Sequence, residues 1–380
     1  MTNKRIQLKG ITWDHSRGFT SIVATSQRFH EMNPNIEISW EKRSLQAFAD
    51  EPIGDLAKRY DLLIIDHPWT GFAARTGVIT PLNQFLSDEY LQDLADNSVG
   101  KSHESYSINK QQWALAIDAA TPVGASRPDL IDQLPETWDD LIQLAKTGKV
   151  AIPGIPQDTL MSFYMICSTL GESVCATKDY VISEEIGLKA LAMLRDLGQY
   201  IDAECYNMNP IKVYEAMASG DKYSYSPFAY GYINYSKDGY AKKLLKFHDM
   251  VSINGQKLIT TLGGTGLAIS NDCKEKEAAA KFVEYTGSPE VQSTLFFETG
   301  GQPGHRKAWE NTKTNFNSMD FFKDTLPALD RSFLRPRYHG HMYFQDNSGE
   351  PIRQFMMKGG DAKEVLKTLN KLYIESLKKE

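Results

Sequence analysis

Leu62 to Ile65 are four consecutive apolar residues, the pattern of a strand buried on both faces. The run stops abruptly at Asp66, His67, Pro68 and Trp69. Pro68 cannot continue a central strand, and it pushes His67 toward an extended backbone. The stretch from Tyr60 to Gly71 is thus a buried strand that delivers an acid, an imidazole and an indole to one rim. In open α/β sheets, ligands bind just outside the carboxyl ends of parallel strands. This rim is a candidate binding site; the plainer alternative is a polar loop that closes a strand.

The residues before it supply the rest of such a sheet. Ile6 to Trp13 reads as a first strand, followed by the polar loop Asp14-His15-Ser16-Arg17-Gly18. Phe19, Ile22, Val23 and Phe29 recur at helical spacing up to Met32, and Asn33-Pro34-Asn35 stops that helix. Ile36, Ile38 and Trp40 alternate as a second strand, and Arg43 to Leu56 reads as a helix interrupted near Pro52. A β-α-β-α-β order implies a parallel sheet with right-handed crossovers. Further on, Gln112 to Ile117 reads as a strand ending at Asp118. Thr137 caps a helix that Gly148 closes, and Val150 to Pro153 reads as a short strand. Helices are expected over Leu160–Leu170, Glu184–Tyr200, Tyr206–Gly220 and Lys274–Thr286, from Ser288 to Gly300, and from Asp361 onward. Leu258 to Ser270 reads as two strands around a glycine turn.

At 380 residues the chain is long for one core and suggests two lobes. A net charge of −6 provides no polycation for nucleic acid or an anionic membrane. No apolar run is long enough to cross a bilayer, so no membrane insertion is expected. Met1 to Arg5 leads directly into the first strand with no signal-peptide h-region or cleavage site. The protein is therefore expected in the cytoplasm unless an export signal is missing from the sequence. The four cysteines, Cys167, Cys175, Cys205 and Cys273, form no CxxC and leave the redox compartment open; Cys167 and Cys175 pair only if the fold brings them into range.

Five landmarks in order resemble the extracellular solute-binding proteins of ABC importers, in particular the large carbohydrate-binding group. They are the first strand ending in Trp13; Phe29 to Glu37 around Asn33-Pro34; Tyr60 to Trp69 followed by Ile79-Thr80-Pro81-Leu82; Pro135 with Thr137-Trp138-Asp139-Asp140-Leu141; and Leu262 to Ser270 with Ser288-Pro289-Glu290. The resemblance implies an α/β, type II periplasmic-binding-protein-like fold, with ligand clamped in a cleft between two hinged lobes. It places lobe one at 1–116 plus 262–310, lobe two at 119–260, and a C-terminal helical segment, 311–380, across both. It implies an extracytoplasmic monomer that binds a carbohydrate or sugar acid reversibly, needs no cofactor or metal, and works with an ABC permease. The chain departs from the family pattern in lacking an export signal and a lipoprotein cysteine.

A sugar site needs flat aromatic faces and planar hydrogen-bonding groups. Trp13, Trp69, Tyr225, Tyr230 and Tyr232 can supply faces; Asp14, His15, Arg43, Asp66, His67 and Asp118 can supply polar groups. Gly264, Thr265 and Gly266 allow close backbone approach, or make a turn with no ligand contact. In the sheet order 2-1-3, Asp14-His15 and Asp66-His67 end neighbouring strands and face each other. Those four groups suit hydrogen bonding to ligand hydroxyls or backbone, a cation site, or acid–base catalysis in a cytoplasmic enzyme built on the same scaffold. A cytoplasmic ligand sensor is a third function class. His339-Gly340-His341 invites a metal reading, Cys167 reads as a core thiol, and Arg331, Arg335 and Arg337 form a basic cluster for acidic neighbours or an anionic ligand.

Overall fold

The computed structural model describes residues 5–379, without the side chains of Ala49 and Asp50. The stretch leading into the first strand, residues 1–4, lies outside them. The chain forms two units, Met1–Ala120 with Gly263–Phe316, and Thr121–Leu262 with Asn317–Glu380.

The first unit opens with β1 (Ile6–Trp13), α1 (Phe19–Met32) and β2 (Ile36–Arg43). β2 runs three residues past Trp40 because it pairs in parallel along the whole of β1, from Ile6 with Ile36 to Trp13 with Arg43. The Trp40 indole covers Gly10, where a Cβ would come within 2.4 Å of the ring, and its Nε1 donates to Ser26 Oγ on α1 at 2.7 Å. The helix expected over Arg43–Leu56 with an interruption near Pro52 is broken there into two short ones, α2 (Leu45–Asp50), capped by Ser44, and α3 (Ile53–Ala57), preceded by Pro52. Arg43 itself belongs to the strand. β3 (Leu62–Ile65) is buried along its length and pairs in parallel with β1, so the expected order 2-1-3 holds. After β4 (Ile79–Thr80) and α4 (Asp88–Asp96) comes β5 (Leu115–Ala120). Asp118 sits inside β5 rather than at its end, because the strand stays paired through Ala120.

The second unit holds β6 (Pro122–Ser126), α5 (Trp138–Ala145), α6 (Pro156–Thr169), α7 (Glu184–Gly198), α8 (Pro210–Ser219), β7 (Tyr225–Tyr230) and β8 (Lys246–His248). β6 lies between β8 and β7, antiparallel to both. Thr137 and Asp140 form the capping box that starts α5. The strand expected at Val150–Pro153 reduces to a single bridge from Val150 to Tyr225.

The chain then returns to the first unit as β9 (Gly263–Ser270), followed by α9 (Lys276–Gly287). β9 is one strand, not two around a turn. It pairs antiparallel with β3 along one edge, and with β5 and then β4 along the other. The glycines accommodate a register shift between Thr265 and Gly266 instead of a reversal. Gly264 has φ +98°, and a Cβ there would lie 2.3 Å from the Asp118 carbonyl oxygen. The helix expected from Ser288 starts as read, with Ser288 as cap, but widens into a π-turn over Gln292–Phe296. In the second unit, α10 (Phe321–Asp330), α11 (His341–Lys358) and α12 (Ala362–Leu377) complete the chain. Gly349 of α11 lets that helix close onto α6, where a Cβ would reach 2.0 Å from the Pro156 carbonyl. No helix among the described residues is long and apolar enough to cross a membrane.

Candidate functional site

Strand register assembles a row of polar groups at one end of the first unit's sheet. Gly10 pairs with Leu62 and Ile11 with Leu63; the same offset carries Asp14 to the level of Asp66. β9 runs antiparallel with Gly266 opposite Ile65, so Thr265 also lies at that level, and Thr265 pairs with Asp118. Asp14, Asp66, Thr265 and Asp118 thus cross four adjacent strands in one line. The row lies where open α/β sheets place ligands, beside the point at which the strand order reverses between β1 and β3.

Each acid of the row has a protein partner. Asp14 is exposed and pairs with Lys42 at 2.7 Å. Asp66 Oδ1 accepts the His67 amide at 2.8 Å and lies 3.4 Å from His67 Nδ1. Both Asp118 oxygens are held by Arg17, from Nε at 2.8 Å and Nη2 at 2.5 Å. Burial pushes the Asp118 carboxyl up, and the Arg17 guanidinium opposes that rise. The half-buried His15 accepts the Arg17 amide at Nδ1, 3.0 Å away; burial, with Arg17 beside it, lowers its pKa to about 3. His67 is buried edge-on to Tyr106. Among the described residues no three histidine, cysteine or acidic side chains converge as a metal site. The two Asp-His pairs therefore end neighbouring strands as expected but do not close into a cation cage.

The rim aromatics are buried rather than open. Trp13 packs against Phe48 with ring centroids 5.4 Å apart, and Trp69 packs edge-on to Phe72. Neither indole Nε1 has a hydrogen-bond partner, and the same holds for Thr265 Oγ1 and Arg43 Nε. Arg43 reaches from the end of β2 to the Ile64 carbonyl of β3 at 3.3 Å and to Glu51 at 3.4 Å. A Cβ on Gly266 would strike the Tyr106 ring at 2.7 Å, so this glycine serves packing.

Tyr225 and Tyr230 belong to the second unit. Tyr225 is a buried strand residue, and Tyr230 is half-buried with its hydroxyl 3.0 Å from Thr261 Oγ1. Tyr232 is buried against Tyr214. In that unit Arg331 forms a two-pronged pair with Asp249, and Arg335 Nε donates to the Leu262 carbonyl at 2.9 Å. His341 begins α11, buried between Tyr338 and Phe344. All four cysteines are free thiols, and Cys167 is fully buried.

Arg17 is the site residue that sequence reasoning passed over. It sits in a short polar loop, and its partner is 101 residues away, so no local pattern marks it. The one available signal was a buried-strand acid, Asp118, without a cation nearby in sequence.

The family description "bacterial extracellular solute-binding protein" matches residues 24–315. A maltotriose-binding protein of Pyrococcus abyssi is 24% identical over 116 residues, which is 30% of this chain and 25% of that protein. The chain is thus matched over only a quarter of that relative's length. The maltose-bound MalE3 of T. maritima superposes with TM-score 0.84 at 16% identity, covering 97% of this chain and 99% of that one. A solute-binding protein of an Agrobacterium radiobacter K84 ABC transporter, in complex with ribitol, gives 0.83 at 16% identity over the whole of both chains. These likenesses show the α/β fold of type II periplasmic binding proteins.

Proposed function

Since the chain belongs to the bacterial extracellular solute-binding protein family, we propose that it binds a carbohydrate-class solute reversibly and passes it, chemically unchanged, to the membrane permease of an ABC importer. The solute-contacting residues in the first unit are Trp13, Asp14, His15, Arg43, Asp66, His67, Trp69, Asp118, Gly264 and Thr265; Tyr225 and Tyr230 are the second unit's candidates. What supports the reading most directly is the row Asp14, Asp66, Thr265 and Asp118 across four strand ends, flanked by Trp13 and Trp69. Carboxylates and a hydroxyl suit sugar hydroxyls, and indoles suit the apolar face of a pyranose. The maltotriose-, maltose- and ribitol-binding relatives give the same chemical class.

A thermal-shift screen against neutral sugars, polyols and sugar acids tests it. A binder gains stability with ligand by mass action, and the ligand is recovered intact. Recovery of a converted product, or no shift from any compound at millimolar concentration, rejects the reading.

A further inference from the structure

We propose that the Asp158 carboxyl, in the first turn of α6, accepts uncharged hydroxyls of the solute, so that the second unit favours neutral sugars or polyols over sugar acids. This rests on the sugar-binding reading and narrows its solute class. Val150 and Tyr225 bridge in parallel, and the Ala151 amide donates to the Tyr225 carbonyl at 3.0 Å. The chain thus leaves that bridge in the direction of β7 and enters α6 at Pro156, while β7 ends at Tyr230. The start of α6 and Tyr230 lie toward the carboxyl end of this parallel pair, the end at which α/β sheets hold ligands.

Asp158 is 7% exposed, and its Oδ2 is buried with no hydrogen-bond partner. An acid in a first helical turn often caps the helix, but α6 has no side-chain cap. Burial alone pushes the carboxyl up, to about 8. Asp118, also buried, differs in having Arg17 to oppose that rise. A buried carboxyl oxygen costs free energy until something donates to it.

A solute carboxylate would bring a like charge, and more acceptors, to an acid that already lacks a donor. An ammonium would sit at the positive end of α6, a 14-residue helix, where the dipole opposes it. Hydroxyls donate without charge, and neighbouring hydroxyls of a sugar can reach both oxygens of one carboxyl.

Isothermal titration with D-glucose, D-galactose, maltose and ribitol, against D-glucuronate and D-galacturonate, tests the proposal. The expected result is a neutral compound binding about tenfold or more tighter than either acid. Asp158→Asn, which keeps the shape and removes the carboxylate, should weaken that compound about tenfold and narrow its lead, with no fall in melting temperature at pH 8. Asp158→Ser should weaken it as well, and carries the test should Asp158→Asn fail to fold. A sugar acid binding as tightly as every neutral compound, or an affinity unchanged in both variants, overturns the role of Asp158 while leaving sugar binding in place. A lowered melting temperature with unchanged affinity overturns it too, since that is the mark of a carboxyl that only supports the fold. No binding by any of these compounds overturns both readings.

Discussion

Arg17 grips both carboxylate oxygens of Asp118, a buried two-pronged pair linking the β1–α1 loop to β5. Removing one partner from such a pair leaves a desolvated charge, which costs about 3–5 kcal/mol. Arg17→Met should therefore lower stability by that order in urea titration, and adding Asp118→Asn should recover much of it. The Arg17→Met deficit should shrink as pH falls, because Asp118 can then be protonated. A pH-independent loss, or no rescue, argues against an uncompensated carboxylate as the cause.

Gly264 and Gly148 both have positive φ, +98° and +72°, but only Gly264 has backbone beneath it, the Asp118 carbonyl. Gly148→Ala should cost about 1 kcal/mol for the left-handed backbone alone. Gly264→Ala should cost at least about 2 kcal/mol more, since β5 or β9 must move. Equal losses would mean that the close approach relaxes freely.

Three half-buried histidines, His15, His103 and His248, have pKa values lowered to about 3, 4 and 4, chiefly by burial. Each folded-state value lies below the ordinary 6.5, so the unfolded chain takes up protons first as pH falls. Their stabilising contribution is complete above pH 6.5 and is lost as pH drops toward 4 and 3. Urea midpoints should decline across that window, and His103→Gln should flatten the decline.

Asp158, in the first turn of α6, should show the opposite sign. Its Oδ2 is buried without a partner, and burial raises its pKa to about 8. A raised carboxyl stabilises below the unfolded value near 3.8 and loses that contribution as pH rises through 8. Asp158→Asn should then be more stable than the parent at pH 8, with the gain fading toward pH 4. A variant less stable at pH 8 would point to a hydrogen-bonding role for the carboxylate.

With four free thiols, three of them buried, native protein should react slowly with a thiol reagent and release all four equivalents only in denaturant. Reductant should leave the melting temperature unchanged. A reductant-dependent shift would reveal a disulfide.

Where local chemistry decides structure, the sequence was easily read. β1, α1 and β3 begin and end as expected because apolar runs and Asn33-Pro34-Asn35 bound them. Register followed as well, since Asp14 and Asp66 each directly follow an adjacent parallel strand. What escaped depends on distant chain. The Leu262 to Ser270 glycines look like a turn until β5 lies against them, and Arg17 looks like loop polarity until Asp118 arrives. The burial of Trp13 could not be read from its position, because Phe48 and Gly18 close over it.

The insertion of β9 between β3 and β5 also constrains synthesis. The sheet of the first unit is completed by residues that leave the ribosome after another 142, the stretch Thr121–Leu262. At about 5–20 residues per second, that wait is about 7–30 s. Throughout it, β3, buried along its whole length in the finished fold, lacks the strand that covers one edge. A nascent chain of this design depends on chaperone shelter, or on rapid elongation, more than one whose first unit is contiguous.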